Sequence, residues 1–344
     1  MSDGTVDGAR HEERDEAVAY GWSAAPEPIA VTAVEIMPHQ AGERPDSEPL
    51  PASGFAARSE PGFEYVAPEL PVVRTPNFAD AAMFLVLLLL GLVITTGALG
   101  IGLHYHWFER SLGLHDFDEA SKNTPLALGT QLLIYLIALV GAVPFFRTVW
   151  GKGYFAGLHW HPADAFRLRY RLFGTALFCN VLAMAGNWLL PFPEHAPIDK
   201  MFGTSRDAWM LACLGVLIAP FFEEMIFRGF LLPAVATAWD WCGERITETS
   251  PKPLDAEGNP VWSMGAMIFA SLVVSAPFAM MHSAQVGQAW GPLLLLYSVS
   301  LILCTVRLVT RSLAASTLVH SAYNFLLFFV MLLETGGFRH MDRM

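Results

Sequence analysis

Seven apolar runs, each long enough to cross a bilayer, occupy most of this 344-residue chain. A spanning helix needs about 20 mainly apolar residues. The runs lie near Ala81 to Leu103, Leu126 to Phe146, Leu172 to Leu190, Trp209 to Thr237, Met264 to Met281, Pro292 to Leu308 and Leu313 to Leu333. In lipid only helices and closed barrels satisfy the backbone, and these runs lack the alternation of barrel strands. The chain is therefore expected to be all-α, a polytopic transmembrane helical bundle of about seven spans. Six or eight is the alternative, because the fourth run is long and contains Pro220 and Pro233. Only 15% of residues are charged, against about a quarter in ordinary soluble domains, which excludes a soluble enzyme. The net charge of -11 excludes nucleic acid as a partner, since phosphate neutralisation needs clustered Lys and Arg.

The acidity is uneven. Residues 1–79 hold 14 Asp and Glu against 5 Lys and Arg, with 10 of the 23 prolines and no sustained apolar run. Such a stretch cannot offset its chain entropy by burial, so it is expected to be a disordered acidic tail. It lacks the basic start, apolar run and cleavage site of a signal peptide. Four scattered cysteines with no C-x-x-C offer neither a disulfide framework nor zinc-finger spacing, and are expected to be buried, inert thiols. Arg147, Lys152, Arg167, Arg169 and Arg171 crowd the loop after the second span. The positive-inside rule then places that loop, the tail and Arg307 with Arg311 on the cytoplasmic side of an integral membrane protein, expected in the plasma (inner) membrane.

The first three runs are almost free of ionisable groups; the last four are not. Each such group costs about 2.5–3.5 kcal/mol at mid-helix even on a lenient scale, so a buried polar site is expected. In Phe221-Phe222-Glu223-Glu224-Met225-Ile226-Phe227-Arg228-Gly229, Glu224 and Arg228 share one helical face and can pair. Glu223 sits about 100° around the helix, free to act as acid or base. Phe278 stands one turn before His282, and His320 one turn before Asn324. Taken singly, these are a structural ion pair, a chance spacing and interhelical glue. Counted from the span ends, Glu223 is mid-span, His282 near the outer end and His320 two turns in, so a shared site requires a tilt, a break at Pro277 or shifted boundaries.

The three elements E-E-x-x-x-R, F-x-x-x-H and H-x-x-x-N, in this order, resemble the signature of the CAAX protease and bacteriocin-processing family of intramembrane endopeptidases, which includes Rce1-type prenyl-protein proteases and bacterial Abi relatives. The resemblance covers about Trp209 to Leu333. Composition, hydropathy and the resemblance together divide the chain into the tail at 1–79, three N-terminal spans at 80–206, a catalytic membrane domain at 207–333 and a short tail at 334–344. The resemblance implies that Glu223 and His282 activate a water, that His320 and Asn324 stabilise an oxyanion, and that Glu224, Arg228 and Phe278 support them. It implies as substrate a membrane-anchored or prenylated protein or peptide. No cofactor is required by that scheme; zinc is the alternative, with Glu223, His282 and His320 as its ligands. The absence of H-E-x-x-H, of G-x-S-G and of G-x-G-D or paired aspartates in a span argues against other intramembrane protease chemistries. Competing readings are a bacteriocin-immunity or processing protein of the same family, a non-catalytic scaffold, and a proton-coupled transporter, which the lack of internal repeats disfavours.

Overall fold

The computed structural model describes residues 74–193, 196–256 and 258–340, apart from the side chains of residues 110 and 111. Among these residues every named element is helical. Seven helices are long and apolar enough to span: α1 (Phe78–His104), α2 (Thr124–Trp150), α3 (Arg169–Leu189), α4 (Ser205–Ile246), α5 (Met264–Met281), α6 (Trp290–Thr310) and α7 (Leu313–Glu334). The seven expected runs are thus seven helices, and the protein is an integral membrane helical bundle. The expected tail falls almost wholly outside the described residues. Its last few residues are described, and they are ordered: Asn77 caps α1, accepting from the N–H groups of Ala79 and Asp80, and Arg74 binds Glu244 at 2.8 Å.

Small residues set the helix contacts, as membrane packing requires. A methyl group on Gly91 of α1 would stand 2.8 Å from the Ile134 carbonyl oxygen of α2, so these backbones meet only because Cβ is missing. Ala176, Cys179, Val299, Leu303, Ala315 and Val319 form a core shared by α3, α6 and α7. An aromatic core of Phe84, Phe146, Tyr154, Phe222 and Phe230 joins α1 and α2 to α4. The cysteines divide: Cys179 and Cys304 are buried, but Cys213 and Cys242 are exposed, contrary to the expectation of four buried thiols. Both exposed thiols lie on α4, Cys213 within its apolar run and Cys242 beyond it, in the polar C-terminal extension.

The 42-residue α4 would measure roughly 60 Å at 1.5 Å per residue, about twice the hydrocarbon thickness. It tolerates Pro220 and Pro233 by widening into π turns at Leu214–Ile218 and Met225–Leu231, each ending just before a proline. Its length also resolves the depth problem. Asp240 of α4 accepts from the N–H of Ser263 at 2.8 Å, pinning the start of α5 beside it. From this pin Glu223 lies seventeen residues up α4 and His282 nineteen residues up α5, roughly 26 and 29 Å. The two are level. Depths reckoned from the span ends were misleading because α4 overshoots the bilayer while α5 has only 18 residues.

At the same end of the bundle, the α2–α3 connection folds back onto α7. The N–H of Leu313 donates to the His159 carbonyl at 2.9 Å, and the Ser312 hydroxyl donates to the His161 carbonyl at 3.0 Å.

Candidate active site

Glu223 and Glu224 sit between the two π stretches of α4, and both are buried. The expected pair forms: Arg228 Nη1 donates to Glu224 Oε1 at 3.0 Å, with neither side chain exposed. The same carboxylate oxygen lies 3.0 Å from His320 Nδ1, so α7 and Arg228 converge on one atom. Arg228 Nη2 reaches α6, donating to the Ser300 hydroxyl at 2.7 Å and to its carbonyl at 3.1 Å. Its guanidinium lies 4.5 Å from the centre of the Phe278 ring. Glu224 and Arg228 therefore neutralise each other and tie α4 to α5, α6 and α7.

Glu223 faces the other way. Its Oε2 is 3.7 Å from His320 Nε2 and 3.9 Å from His282 Nε2. These separations exceed a direct hydrogen bond but let one water touch all three atoms. Each ring is held from behind. His320 Nδ1 faces Glu224, while His282 Nδ1 lies 2.8 Å from the Phe278 carbonyl one turn earlier. Both rear partners are acceptors, so Nδ1 carries a proton on each ring and Nε2 is left to face Glu223. The Phe278 ring fills the space between, 5.1 Å from the His282 ring and 5.8 Å from His320. Side-chain exposure rises from 5% at His320 through 10% at Glu223 to 16% at His282, so the centre opens on the His282 side.

Asn324 makes its hydrogen bond outside this cluster. Its Nδ2 donates to the Gly215 carbonyl at 2.7 Å. The reason is in the backbone of α4. The N–H of Ala219 bonds five residues back to Leu214, so Gly215 should be met by residue 220, which is proline and has no N–H. Asn324 supplies the missing donor. One of its two amide hydrogens is thus committed to bracing α4.

The zinc alternative asks for closer ligand atoms than this arrangement has, since Glu223 Oε2 stands 3.7 and 3.9 Å from the two imidazole Nε2 atoms. A tetrahedral zinc with bonds near 2.0–2.1 Å holds its ligand atoms roughly 3.3 Å apart. Among the described residues no group of three or more His, Cys, Asp or Glu side chains is spaced to hold a metal ion.

Four contributors were not singled out from sequence. Ser300 is a lone hydroxyl in an apolar run, and Gly215 matters only through its carbonyl. Tyr135 of α2 stacks on Phe222 at 4.4 Å, accepts from Gln131 at 3.0 Å and lies within electrostatic reach of Glu223. Phe227 meets Phe278 edge-on at 5.3 Å. Only the Gln131–Tyr135 spacing, i to i+4 in an otherwise apolar span, carried a readable signal.

Fold and site together define a seven-helix integral membrane protein with a buried carboxylate–imidazole centre assembled from three helices. Residues 205–326 match the family model described as Type II CAAX prenyl endopeptidase Rce1-like, and the chain carries an Rce1-like domain there. The matched stretch runs from the start of α4 into α7 and holds Glu223, His282, His320 and Asn324. Such a domain is of the intramembrane protease kind. Neither a curated protein nor a solved structure matches the chain.

Proposed function

We propose that the protein is an intramembrane endopeptidase that cleaves a membrane-anchored or prenylated protein or peptide with a water activated by Glu223 and His282. The observation that carries this reading is the convergence of two rear-tethered imidazoles on the Glu223 carboxylate. Glu223 takes a proton from the water while the water oxygen attacks the scissile carbonyl carbon. The negative charge passes to the carbonyl oxygen, where the Nε2–H of His320, which this step requires to be protonated on both nitrogens, and the second amide hydrogen of Asn324 balance it. Glu224 behind His320 offsets the positive charge of that ring. When the C–N bond breaks, the proton held by Glu223 goes to the leaving amine. Water and side chains suffice for each step. The basic end of the bundle, which carries the α2–α3 loop, faces the cytoplasm in this reading.

The test is purified protein in detergent with a fluorogenic prenylated peptide. Glu223→Gln should lower kcat by about 10²–10⁴-fold, and His282→Ala should lower it comparably. Activity should survive strong chelation. Undiminished cleavage by both variants would remove the catalytic assignment, and loss on chelation restored by zinc would replace the water mechanism with a metal one.

A further inference from the structure

The two oxygens of the Glu223 carboxylate are treated unequally. Both imidazoles face Oε2, at 3.7 and 3.9 Å, while among the described residues no hydrogen bond reaches Oε1. Oε1 is not sealed off either: of the two neighbouring glutamates, the fully buried oxygen without a partner belongs to Glu224. A carboxylate taken out of bulk water needs donors, and Glu223 lacks one on this side.

A donor with an unspent hydrogen stands on α2, outside the residues 205–326 that carry the family match. Tyr135 stacks on Phe222, the residue before Glu223, with ring centres 4.4 Å apart and planes 13° from parallel. The stack sets the phenol level with the carboxylate, and the charge of Glu223 acts on it. Its hydroxyl oxygen accepts from Gln131 Nε2 at 3.0 Å, one turn earlier on the same helix. The O–H hydrogen must then point elsewhere, and among the described residues nothing accepts it. Accepting one hydrogen bond also makes the hydroxyl a stronger donor. Between Thr130 and Arg147, Gln131 and Tyr135 are the only polar side chains of α2. Lipid offers neither of them a partner.

We propose that Tyr135 is a positioning residue for Glu223: its hydroxyl, aligned by Gln131, hydrogen-bonds Oε1 directly or through one water and so keeps Oε2 turned toward the imidazoles. The inference rests on the peptidase reading and adds to its site a residue from the N-terminal spans. A neutral donor suits the task. A cation would pair with the carboxylate and hold its charge, whereas a phenol orients it and leaves it free to take a proton.

The experiment removes one oxygen atom. Tyr135→Phe keeps a ring against Phe222 and deletes the hydroxyl, so melting temperature and KM should hold while kcat falls about tenfold or more. Gln131→Leu should lower kcat less, because the phenol keeps its hydrogen and loses only its alignment. An unchanged kcat in Tyr135→Phe overturns the proposal, and so does a rise in KM alone. A merely structural tyrosine would lower the melting temperature and leave kcat of the folded fraction intact, which also overturns it. Infrared difference spectra test the contact without turnover. The carboxylate band lost in Glu223→Gln should shift in Tyr135→Phe, and an unmoved band refutes the contact. If the unmodified protein cleaves nothing, the peptidase reading fails. A shifted band would then still uphold the hold of Tyr135 on Glu223, and an unmoved one would remove it.

Discussion

The Glu224 carboxylate is the residue on which the site turns, because a single oxygen accepts from both Arg228 and His320. Burial makes that arrangement one-sided. Removing one partner strands the other charge, whereas removing both can be nearly neutral. Arg228→Met is therefore expected to cost about 3–5 kcal/mol, and the double variant Glu224→Gln/Arg228→Met to recover much of it. Denaturant titration in mixed micelles would show this, and a double variant worse than Arg228→Met alone would contradict it. This pair was legible in the sequence, since i to i+4 spacing and opposite charge in an apolar helix leave few other outcomes. Ser300 was not legible, because nothing local distinguishes a hydroxyl that meets an arginine 72 residues away in sequence from one that bonds its own helix.

Elements were readable where composition alone decides, and unreadable where one helix answers another. Seven runs became seven spans, with ends displaced by a few residues except in α4, whose polar extensions toward Ser205 and Ile246 carry no hydropathy signal. The role of Asn324 depends on a chain of three facts: a π turn, a proline at its end and a carbonyl five residues back. Only the proline is visible in one dimension. Asn324→Ala should cost about 1 kcal/mol by leaving the Gly215 carbonyl unmet. In a Pro220→Ala background that cost should shrink, because residue 220 then has an N–H of its own. Peptide cleavage should not recover with stability in the double variant, since the proposed oxyanion contact is still missing. Recovery of both together would reduce Asn324 to a brace.

For the whole molecule, the connection between α2 and α3 gives the fold a dependence on acidity. Burial pushes His159 down to about 3, and the nearby positive charges of Arg307, Lys152 and His161 push the same way, with Asp255 opposing. The unfolded chain takes up this proton near the ordinary value of about 6.5, whereas the folded one resists until about 3. Stability should accordingly decline as pH falls from about 6.5 toward 3, the range in which only the unfolded chain is protonated. Melting temperatures in detergent across that range should fall less steeply for His159→Gln. Equal slopes would show that other groups govern the acid response. No sequence pattern announced this histidine, since its burial is created by α7 closing over the loop.

α5, with 18 residues, is the shortest of the seven spans, and its C-cap is His282. At roughly 27 Å it barely equals the oily layer it crosses, while α4 beside it has length to spare. A membrane with longer acyl tails would drag on α5 first, moving one imidazole relative to a carboxylate anchored on a rod indifferent to thickness. On the proposed peptidase reading, lipid chain length thereby becomes a dial on turnover, set by the host's fatty acids before any substrate arrives.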